Sequence, residues 1–326
     1  MDEKVLIKLD NVKAYYKMRT FEIEKDVRAV DGVSIDVKDN EIMGIAGESG
    51  SGKSTLGRVI YGHLGFPLIF IDGEIHYSLD DIEIINSPIS LKSERLKDLR
   101  WKVISYIPQS SMNVLNPVRK IRDIVCDIIE SHKMEKEFYE AKIVESLNHF
   151  GLSPSILNLY PYQLSGGMRQ RVVITLATIF NPKVIIADEP TSALDVVTQL
   201  NLLKLFKNIH KENSNSFVFI THDMSIIANL TDRVTIMYAG KVFEVGDTAV
   251  LFEEPLHPYT RFLINSIPQI GDKTERLSIP GTAPNLINPP IGCRFYPRCP
   301  FAKEICEKEE PSLVEVAKGH KVACFL

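Results

Sequence analysis

The sequence lacks a membrane-spanning segment. None of the uninterrupted apolar runs in its 326 residues approaches the ~20 residues that a helix needs to cross a bilayer. The first residues, Met1-Asp2-Glu3-Lys4, also lack the pattern of a signal peptide. We therefore expect the chain to stay in the cytosol, and a role in a membrane process would require separate membrane-spanning subunits on which it docks.

A surplus of positive charge is also missing. The formal net charge is −4, with 38 Lys and Arg against 42 Asp and Glu. The chain thus lacks the electrostatic footprint of a protein whose main partner is nucleic acid. We expect no nucleic-acid partner.

Cysteine is scarce and unevenly placed. Of five cysteines, four lie in the C-terminal tail: Cys293, Cys299, Cys306 and Cys324. In a reducing compartment such clustering indicates a metal site before a disulfide framework. Four thiolates suit a [4Fe–4S] cluster or a structural Zn²⁺. The tight Cys-x-x-Cys pairs common in zinc sites are absent, which favours the cluster, and free thiols are a third interpretation.

The length predicts two unequal domains, because it exceeds what one hydrophobic core usually holds. Alternating strand and helix patterns from residue 164 onward predict a parallel sheet covered on both faces. Beyond residue 250 prolines cluster and break regular elements. We expect a large α/β domain at 1–250, with a helical subdomain at about 111–168, and a small irregular Cys-rich domain at 251–326.

A glycine-rich turn follows an apolar run and precedes a helical stretch. It reads Gly47-Glu48-Ser49-Gly50-Ser51-Gly52-Lys53-Ser54, with Thr55 next, and fits the P-loop pattern. The backbone N–H groups of such a loop surround phosphate oxygens, and the following helix directs its positive end at them. We expect Lys53 to reach the β and γ phosphates of ATP and Ser54 to ligate Mg²⁺. A flexible glycine turn with a chance lysine is the alternative.

A pair of carboxylates stands at the end of a predicted buried strand. Val184-Ile185-Ile186-Ala187 is followed by Asp188 and Glu189. Asp188 is placed to hold Mg²⁺ through water, and Glu189 to polarise the attacking water as general base. Two solvated acids at a strand end are the alternative, which the accompanying P-loop disfavours.

The residues between these motifs resemble a known family. Leu164-Ser165-Gly166-Gly167-Met168 is similar to the signature of ABC ATPases, from which Met168 departs because the usual residue is glutamine. The motifs over residues 9–240 also follow that family's order. The resemblance implies a P-loop NTPase (RecA-like) fold, with a parallel sheet core, an antiparallel β subdomain and a helical subdomain.

The resemblance also implies roles for single residues. Gln109 is similar to the glutamine that contacts Mg²⁺ and water, and His222 to the switch histidine at the γ phosphate. Tyr16 stands where the family has an aromatic residue stacked on adenine, and Tyr15 is the alternative. In the family, one subunit completes the ATP site of another, which implies that the following residues contact the partner's ATP: Ser165, Gly166, Gly167 and Asp195.

The tail resembles the C-terminal extension of dipeptide, oligopeptide and nickel permease subunits. The similarity lies in His257-Pro258-Tyr259, in segment 280–284 and in segment 293–300. It implies the ATP-hydrolysing motor of an importer, located peripherally on the cytoplasmic face of the cell membrane. Several relatives hold an iron–sulfur cluster at a similar set of cysteines. Some relatives carry β-glucosides or other short oligosaccharides, so the cargo stays open among peptides, oligosaccharides and nickel.

The same resemblance implies a second, non-identical ABC ATPase subunit, two membrane-spanning permease subunits and an extracytoplasmic solute-binding protein as partners. We expect docking on the membrane subunits in the groove between Gln109 and the helical subdomain, including Asn116, Pro117 and Val118. The rival interpretation is a non-transport ABC ATPase acting on chromosomes or ribosomes. Such proteins usually have a long coiled-coil insertion or two fused ATPase halves, and this sequence has neither.

Overall fold

The computed structural model describes residues 4–20, 23–79, 82–86, 99–109, 114–192, 194–267 and 279–326. Its contacts divide the chain into two compact units. The first unit comprises Met1–Ser93 and Val218–Leu326, and the second comprises Glu94–Phe217. In sequence, the second unit is therefore an insertion in the first.

Strands and helices alternate over much of the chain. In chain order, the strands are β1 (Val5–Thr20), β2 (Ile23–Lys38), β3 (Ile42–Ala46), β4 (Leu68–Leu79), β5 (Ile82–Asn86), β6 (Ile104–Ile107), β7 (Val184–Asp188), β8 (Ser216–Ile220), β9 (Arg233–Tyr238), β10 (Lys241–Asp247), β11 (Val314–Ala317) and β12 (His320–Val322). The helices are α1 (Lys53–Ile60), α2 (Ile121–Ser131), α3 (Lys136–His149), α4 (Gly166–Thr178), α5 (Val196–Asn213), α6 (Met224–Leu230), α7 (Thr248–Glu253), α8 (Pro258–Asn265) and α9 (Glu304–Lys308).

The first unit contains an antiparallel sheet with the strand order β2-β1-β4-β5. Leu9 of β1 lies opposite Ile35 of β2 on one side and Ile75 of β4 on the other. Ile7 and Leu9 are buried, whereas the intervening Lys8 is exposed. This alternation follows from the two-residue period of a strand, and it confirms the antiparallel β subdomain.

The first unit also contains a mixed sheet in which β11-β12-β10-β9-β3 is the strand order. β3 and β9 run parallel, with Ile45 opposite Thr235. Every residue of β3 is buried, as expected for a parallel strand covered on both faces. The backbone of Thr221, which follows β8, donates a hydrogen bond to the carbonyl of Ile45 (3.1 Å). The end of β3, from which the next turn starts, is therefore buried and held by a hydrogen bond from a neighbouring segment.

The second unit combines a parallel strand pair with helices. β6 and β7 run parallel, with Tyr106 opposite Ile186. Helix α2 buries one face through Ile121, Val125 and Ile129, as the helical spacing of its apolar residues predicts. The carboxyl ends of β6 and β7 meet at one edge, so the residues that follow them lie close together.

The C-terminal tail packs on the mixed sheet of the first unit. Tyr238 of β9 lies 4.7 Å from Tyr259 of α8 and 5.4 Å from Phe295, between ring centroids. All three rings are buried in one hydrophobic cluster that also includes Ala46. The tail thus shares its core with the strand that precedes the glycine-rich turn. In the described parts of the chain, none of the helices combines the length and apolar character that a bilayer crossing needs.

Candidate functional site

The glycine-rich turn joins β3 to α1 and requires glycine at two positions. Gly47 and Gly52 have φ values of 147° and 101°. A Cβ atom at Gly47 would collide with the carbonyl oxygen of Met237, and one at Gly52 with that of Ala29. Because L residues rarely adopt such φ values and no side chain fits, the turn holds a backbone cradle at the start of a helix.

Lys53 lies over this cradle. Its side chain is buried, and Nζ donates to the carbonyl oxygens of Gly47 (2.8 Å) and Glu48 (2.9 Å). A lysine held at the mouth of a loop of backbone N–H groups is the arrangement that binds a polyphosphate. Ser54 and Thr55 follow on the first turn of α1, where the positive end of the helix dipole favours anions.

The two adjacent tyrosines of β1 make different contacts. The Tyr16 hydroxyl lies 3.3 Å from Oγ1 of Thr55 on α1. The Tyr15 hydroxyl instead donates to Oδ1 of Asp31 at 2.5 Å, and burial raises its pKa. Tyr16 is therefore next to the helix of the phosphate loop, while Tyr15 is engaged with β2.

In the second unit, three predicted residues meet at the carboxyl ends of β6 and β7. Asp188 is buried, and its Oδ2 accepts a hydrogen bond from the Tyr106 hydroxyl (2.7 Å). Gln109 donates from Nε2 to Oε2 of Glu189 (3.1 Å). Glu189 has a φ of 45°, a backbone conformation that residues other than glycine seldom adopt. Two oriented carboxylates and an amide thus share one edge.

Tyr106 has no role in the predictions from sequence. The signal was available, because Tyr106 belongs to the strand before Gln109 and β6 neighbours β7 in parallel register. Only the pairing of the strands shows that its hydroxyl reaches Asp188. Gln170 of α4 also has no role in the predictions from sequence. Its buried amide donates to the carbonyl of Pro190, the residue after Glu189.

Ser165 and Asp195 each begin a helix of the second unit. Ser165 is exposed, and its Oγ accepts from the backbone of Met168 (3.3 Å) at the start of α4. Gly166 and Gly167 form the first turn and add no side chains there, so Ser165 provides the capping side chain at this helix start. Asp195 caps α5 through the backbone of Val197 and Thr198, and the hydroxyl of Thr198 lowers the pKa of its carboxyl.

His222 lies in the first unit, in the turn after β8. Its side chain is exposed, and the neighbouring Asp223 caps α6 by accepting from the backbone of Ser225 (2.8 Å). The structure therefore places the predicted residues in two groups. The first unit holds Tyr16, the phosphate loop and His222, and the second holds Gln109, Asp188, Glu189, Ser165 and Asp195.

The prediction of a [4Fe–4S] cluster at the tail cysteines, with Zn²⁺ as its alternative, is wrong. Cys293, Cys299, Cys306 and Cys324 do line one small cavity of about 20 Å³. Among the described residues, however, no group of three or more His, Cys, Asp or Glu side chains is arranged to hold a metal ion. Burial raises the pKa of Cys293 to about 11 and also raises those of Cys299 and Cys324, which favours neutral thiols over the thiolates that bind metals. Cys293, Cys299 and Cys306 pack as small apolar residues in the cluster that contains Phe295.

Two family models match the chain. The first is described as ABC transporter and matches residues 30–192, and the second as Oligopeptide/dipeptide transporter, C-terminal region, and matches residues 243–306. The dipeptide transport ATP-binding protein DppD of Caldanaerobacter subterraneus subsp. tengcongensis is 40% identical over 99% of this chain and 97% of its own length. The oligopeptide transport ATP-binding protein AppF of Bacillus subtilis is 39% identical over 100% of this chain and 98% of its own.

Solved structures of ATP-binding cassettes share the fold. The dimeric cassette MJ0796 in a post-hydrolysis state with ADP and Pi has a TM-score of 0.62 at 28% identity, covering 74% of this chain and 99% of that one. The protein cbiO1 of Clostridium perfringens has a TM-score of 0.61 at 25% identity, covering 77% of this chain and 92% of that one. With its phosphate loop and paired carboxylates, and with relatives matching along nearly its whole length, the chain belongs to the ABC transporter family as an ATP-binding subunit that hydrolyses ATP.

Proposed function

We propose that the chain is the motor subunit of an importer of dipeptides or oligopeptides, in which ATP-driven association of two ATPase subunits energises transport. The observation that carries the cargo class is the match of residues 243–306 to the C-terminal region of oligopeptide/dipeptide transporters. Relatives named for dipeptide and oligopeptide transport cover nearly the whole chain, which supports the same class.

The residues of the two units suggest how ATP is held and cleaved. Lys53 and the loop's backbone N–H groups bind the β and γ phosphates, and the glycine cradle of the loop fits such a polyanion. In the first unit, Ser54 is the residue that would ligate Mg²⁺, which neutralises phosphate charge when bound. In the second unit, Asp188 is the carboxylate suited to hold Mg²⁺ through water. Glu189 acts as general base on the attacking water, and its hydrogen bond with Gln109 supports this role by fixing the carboxylate. His222 contacts the γ phosphate, and Tyr16 stacks on adenine.

A second ATPase subunit, a non-identical relative of this chain, would complete the ATP site. We assign this contribution to the exposed start of α4 and to the start of α5. Ser165, Gly166 and Gly167 present a helix N-terminus that suits a phosphate, and Asp195 stands beside exposed apolar side chains. Those apolar side chains are Val196, Val197 and Leu200. Such a patch is typical of a surface that a protein partner covers.

The remaining partners are two membrane-spanning permease subunits and an extracytoplasmic solute-binding protein, with this chain on the cytoplasmic face of the membrane. The exposed side chains of Val114 and Val118, in the segment that follows Gln109 in the sequence, support docking of the permease subunits on this segment. The large domain at 1–250 and the tail domain at 251–326 are the proposed functional division of the chain.

The test is reconstitution in vesicles with the membrane-spanning subunits, second ATPase subunit and solute-binding protein that co-purify with the chain. ATP hydrolysis and uptake are measured with the binding protein loaded with peptides, with β-glucoside oligosaccharides or with nickel. Stimulation of hydrolysis and uptake by peptides supports the proposal. Stimulation by sugar or nickel alone would show that the cargo is not a peptide. A complex carrying Glu189→Gln is the matched control, because it should bind ATP without supporting uptake. ATP hydrolysis that no cargo stimulates and no membrane subunit accompanies would favour a non-transport ABC ATPase.

A further inference from the structure

Arg298 of the tail contacts the phosphate loop directly. Its Nη1 lies 2.7 Å from Oε2 of Glu48 and its Nη2 lies 3.0 Å from Oε1, which is the two-point geometry of a guanidinium on a carboxylate. Two further donors are engaged, since Nε donates to the carbonyl of Pro280 (2.7 Å) and Nη1 to the Tyr238 hydroxyl (3.0 Å). Arg298 is 7% exposed. Together these partners hold the Arg298 guanidinium in one orientation.

Tyr259 of the tail holds the same loop residue by its backbone. The N–H group of Glu48 donates to the Tyr259 hydroxyl at 2.8 Å. Tyr259 is fully buried at the start of α8, where Nδ1 of His257 accepts from its backbone N–H (3.0 Å). Both carboxylate oxygens of Glu244 in β10 in turn accept from the backbone of Leu256 and His257. The tail thus forms hydrogen bonds with both the side chain and the main chain of Glu48.

The ion pair matters for electrostatic reasons as well. Glu48 is the second residue of a loop whose backbone is shaped for a polyanion, and its carboxylate adds a negative charge to that loop, which is unfavourable for binding phosphate. The side chain of Glu48 is 28% exposed and that of Arg298 is 6% exposed, so the pair is screened less than a surface pair. The hydrogen bonds with Glu48 also raise the pKa of Arg298, which keeps the guanidinium charged.

We propose that Arg298 is a positioning residue for ATP, and that the tail acts as a clamp that fixes the phosphate loop through Glu48. The clamp neutralises the Glu48 carboxylate and sets the loop's backbone before nucleotide binds. This proposal rests on the ATP binding proposed for the loop, and it gives a nucleotide-related role to a tail segment that otherwise serves only as a mark of the subfamily.

The test measures the affinity of the full chain for ATP with Mg²⁺ by titration calorimetry, alongside thermal unfolding. Arg298→Ala should weaken ATP binding roughly tenfold, because it leaves a carboxylate unpaired in the loop. Glu48→Ala combined with Arg298→Ala should recover most of that loss, and high salt should shrink the defect of the single variant by screening Glu48. In the assembled transporter the KM for ATP should rise while kcat changes little. Arg298→Lys should restore only part of the affinity, since lysine lacks the two-point geometry.

The controls separate this proposal from a general loss of structure. Arg261→Ala removes an exposed tail arginine that bonds to the carbonyl of Pro255, and it should bind ATP as the wild type does. If Arg298→Ala fails to fold, Tyr259→Phe tests the clamp by removing the acceptor for the Glu48 backbone, and it should weaken ATP binding in the same direction. Equal affinity of folded Arg298→Ala and wild type would overturn the proposal, as would additive effects in the double variant. Failure of the wild type to bind ATP, or unaltered binding by Lys53→Ala, would instead overturn the proposed function of the loop.

Discussion

Tyr106 donates its hydroxyl hydrogen to Oδ2 of Asp188 at 2.7 Å, across the parallel pair β6 and β7. Asp188 is almost fully buried, so its carboxylate depends on such donors for its orientation. β6 carries no acidic motif, but through Tyr106 it orients a carboxylate at the end of β7.

Replacing Tyr106 by Phe should impair ATP hydrolysis most strongly when Mg²⁺ is scarce. The substitution removes a hydrogen bond to a charged group, worth about 1–3 kcal/mol, and frees the carboxylate assigned to the metal. Hydrolysis by the assembled transporter, measured against Mg²⁺ concentration, should need several-fold more Mg²⁺ for half-maximal rate. Tyr162→Phe, at an exposed tyrosine of the same unit, should leave the curve unchanged, and an unchanged curve for Tyr106→Phe would contradict the assignment.

Replacing Glu189 by Gln should abolish hydrolysis while leaving ATP binding intact. Loss of a general base lowers rates by about 100-fold or more, and glutamine keeps the shape and a hydrogen-bonding partner for Gln109. The variant should accumulate as a closed dimer with ATP, which size-exclusion chromatography with light scattering would detect. Turnover at the wild-type rate would remove Glu189 from the role of base.

Replacing Gly52 by Ala should destabilise the fold and abolish ATP binding. Gly52 has a φ of 101°, and a Cβ there would collide with the carbonyl of Ala29, so the loop backbone must shift. We expect a loss of about 1–3 kcal/mol in the free energy of unfolding relative to Gly50→Ala. Gly50 is the matched control, because its φ is 80° and no atom lies within 4 Å of its would-be Cβ. Denaturant titration compares the two, and equal stabilities would refute the steric argument.

Acid should destabilise the tail through His257. Burial lowers the pKa of this histidine from 6.5 to about 3, so the folded chain keeps it neutral while the unfolded chain takes up a proton. The free energy of unfolding that depends on a neutral His257 is therefore fully present above pH 6.5. It is lost as the pH falls from 6.5 towards 3, and the loss is about 2 kcal/mol at pH 5.

The variant His257→Asn tests this pH dependence. Asparagine is a good helix N-cap, so α8 should still begin at Pro258. Chemical unfolding at pH 7 and pH 5 should show a smaller loss of stability for the variant than for the wild type. His63→Asn changes an exposed histidine and should behave as the wild type, and an equal acid loss in His257→Asn would contradict the prediction.

Replacing Val118 by Asp should uncouple ATP hydrolysis from transport. Val118 is 77% exposed and follows Gln109 in the sequence by nine residues, and we expect a membrane subunit to dock on this apolar side chain. Uptake in reconstituted vesicles should fall severalfold while the affinity for ATP is unchanged. Val144→Asp, at an exposed valine of α3, is the control, and full uptake by Val118→Asp would remove this docking surface.

Local sequence patterns predicted that the chain binds and hydrolyses ATP, which the family to which it belongs confirms. The run from Gly47 to Ser54 specifies a turn between a strand and a helix, because its glycines supply conformations that other residues avoid. The fold class was likewise predicted and is confirmed, since strand and helix periods are local properties of the chain. The predicted boundary near residue 250 stays a prediction, as do the roles of single site residues.

Cysteine spacing misled because it reports neighbours in sequence and not their surroundings. Cys293 comes to lie among buried aromatic rings, where a neutral thiol is favoured. Phe295 packs against Tyr238 and Tyr259, and this packing creates the apolar environment of Cys293. The spacing of the four cysteines in the sequence does not predict it.

The sequence by itself determined that this chain carries a phosphate-loop motif and a pair of carboxylates after an apolar strand, because each is a short run of neighbouring residues. Only the tertiary structure decided what holds them in place. Arg298 and Glu48 are 250 residues apart, and the hydroxyl of Tyr106 meets Asp188 across 82 residues. Such contacts arise from strand pairing and core packing over long separations, and these depend on the whole fold and not on any local pattern.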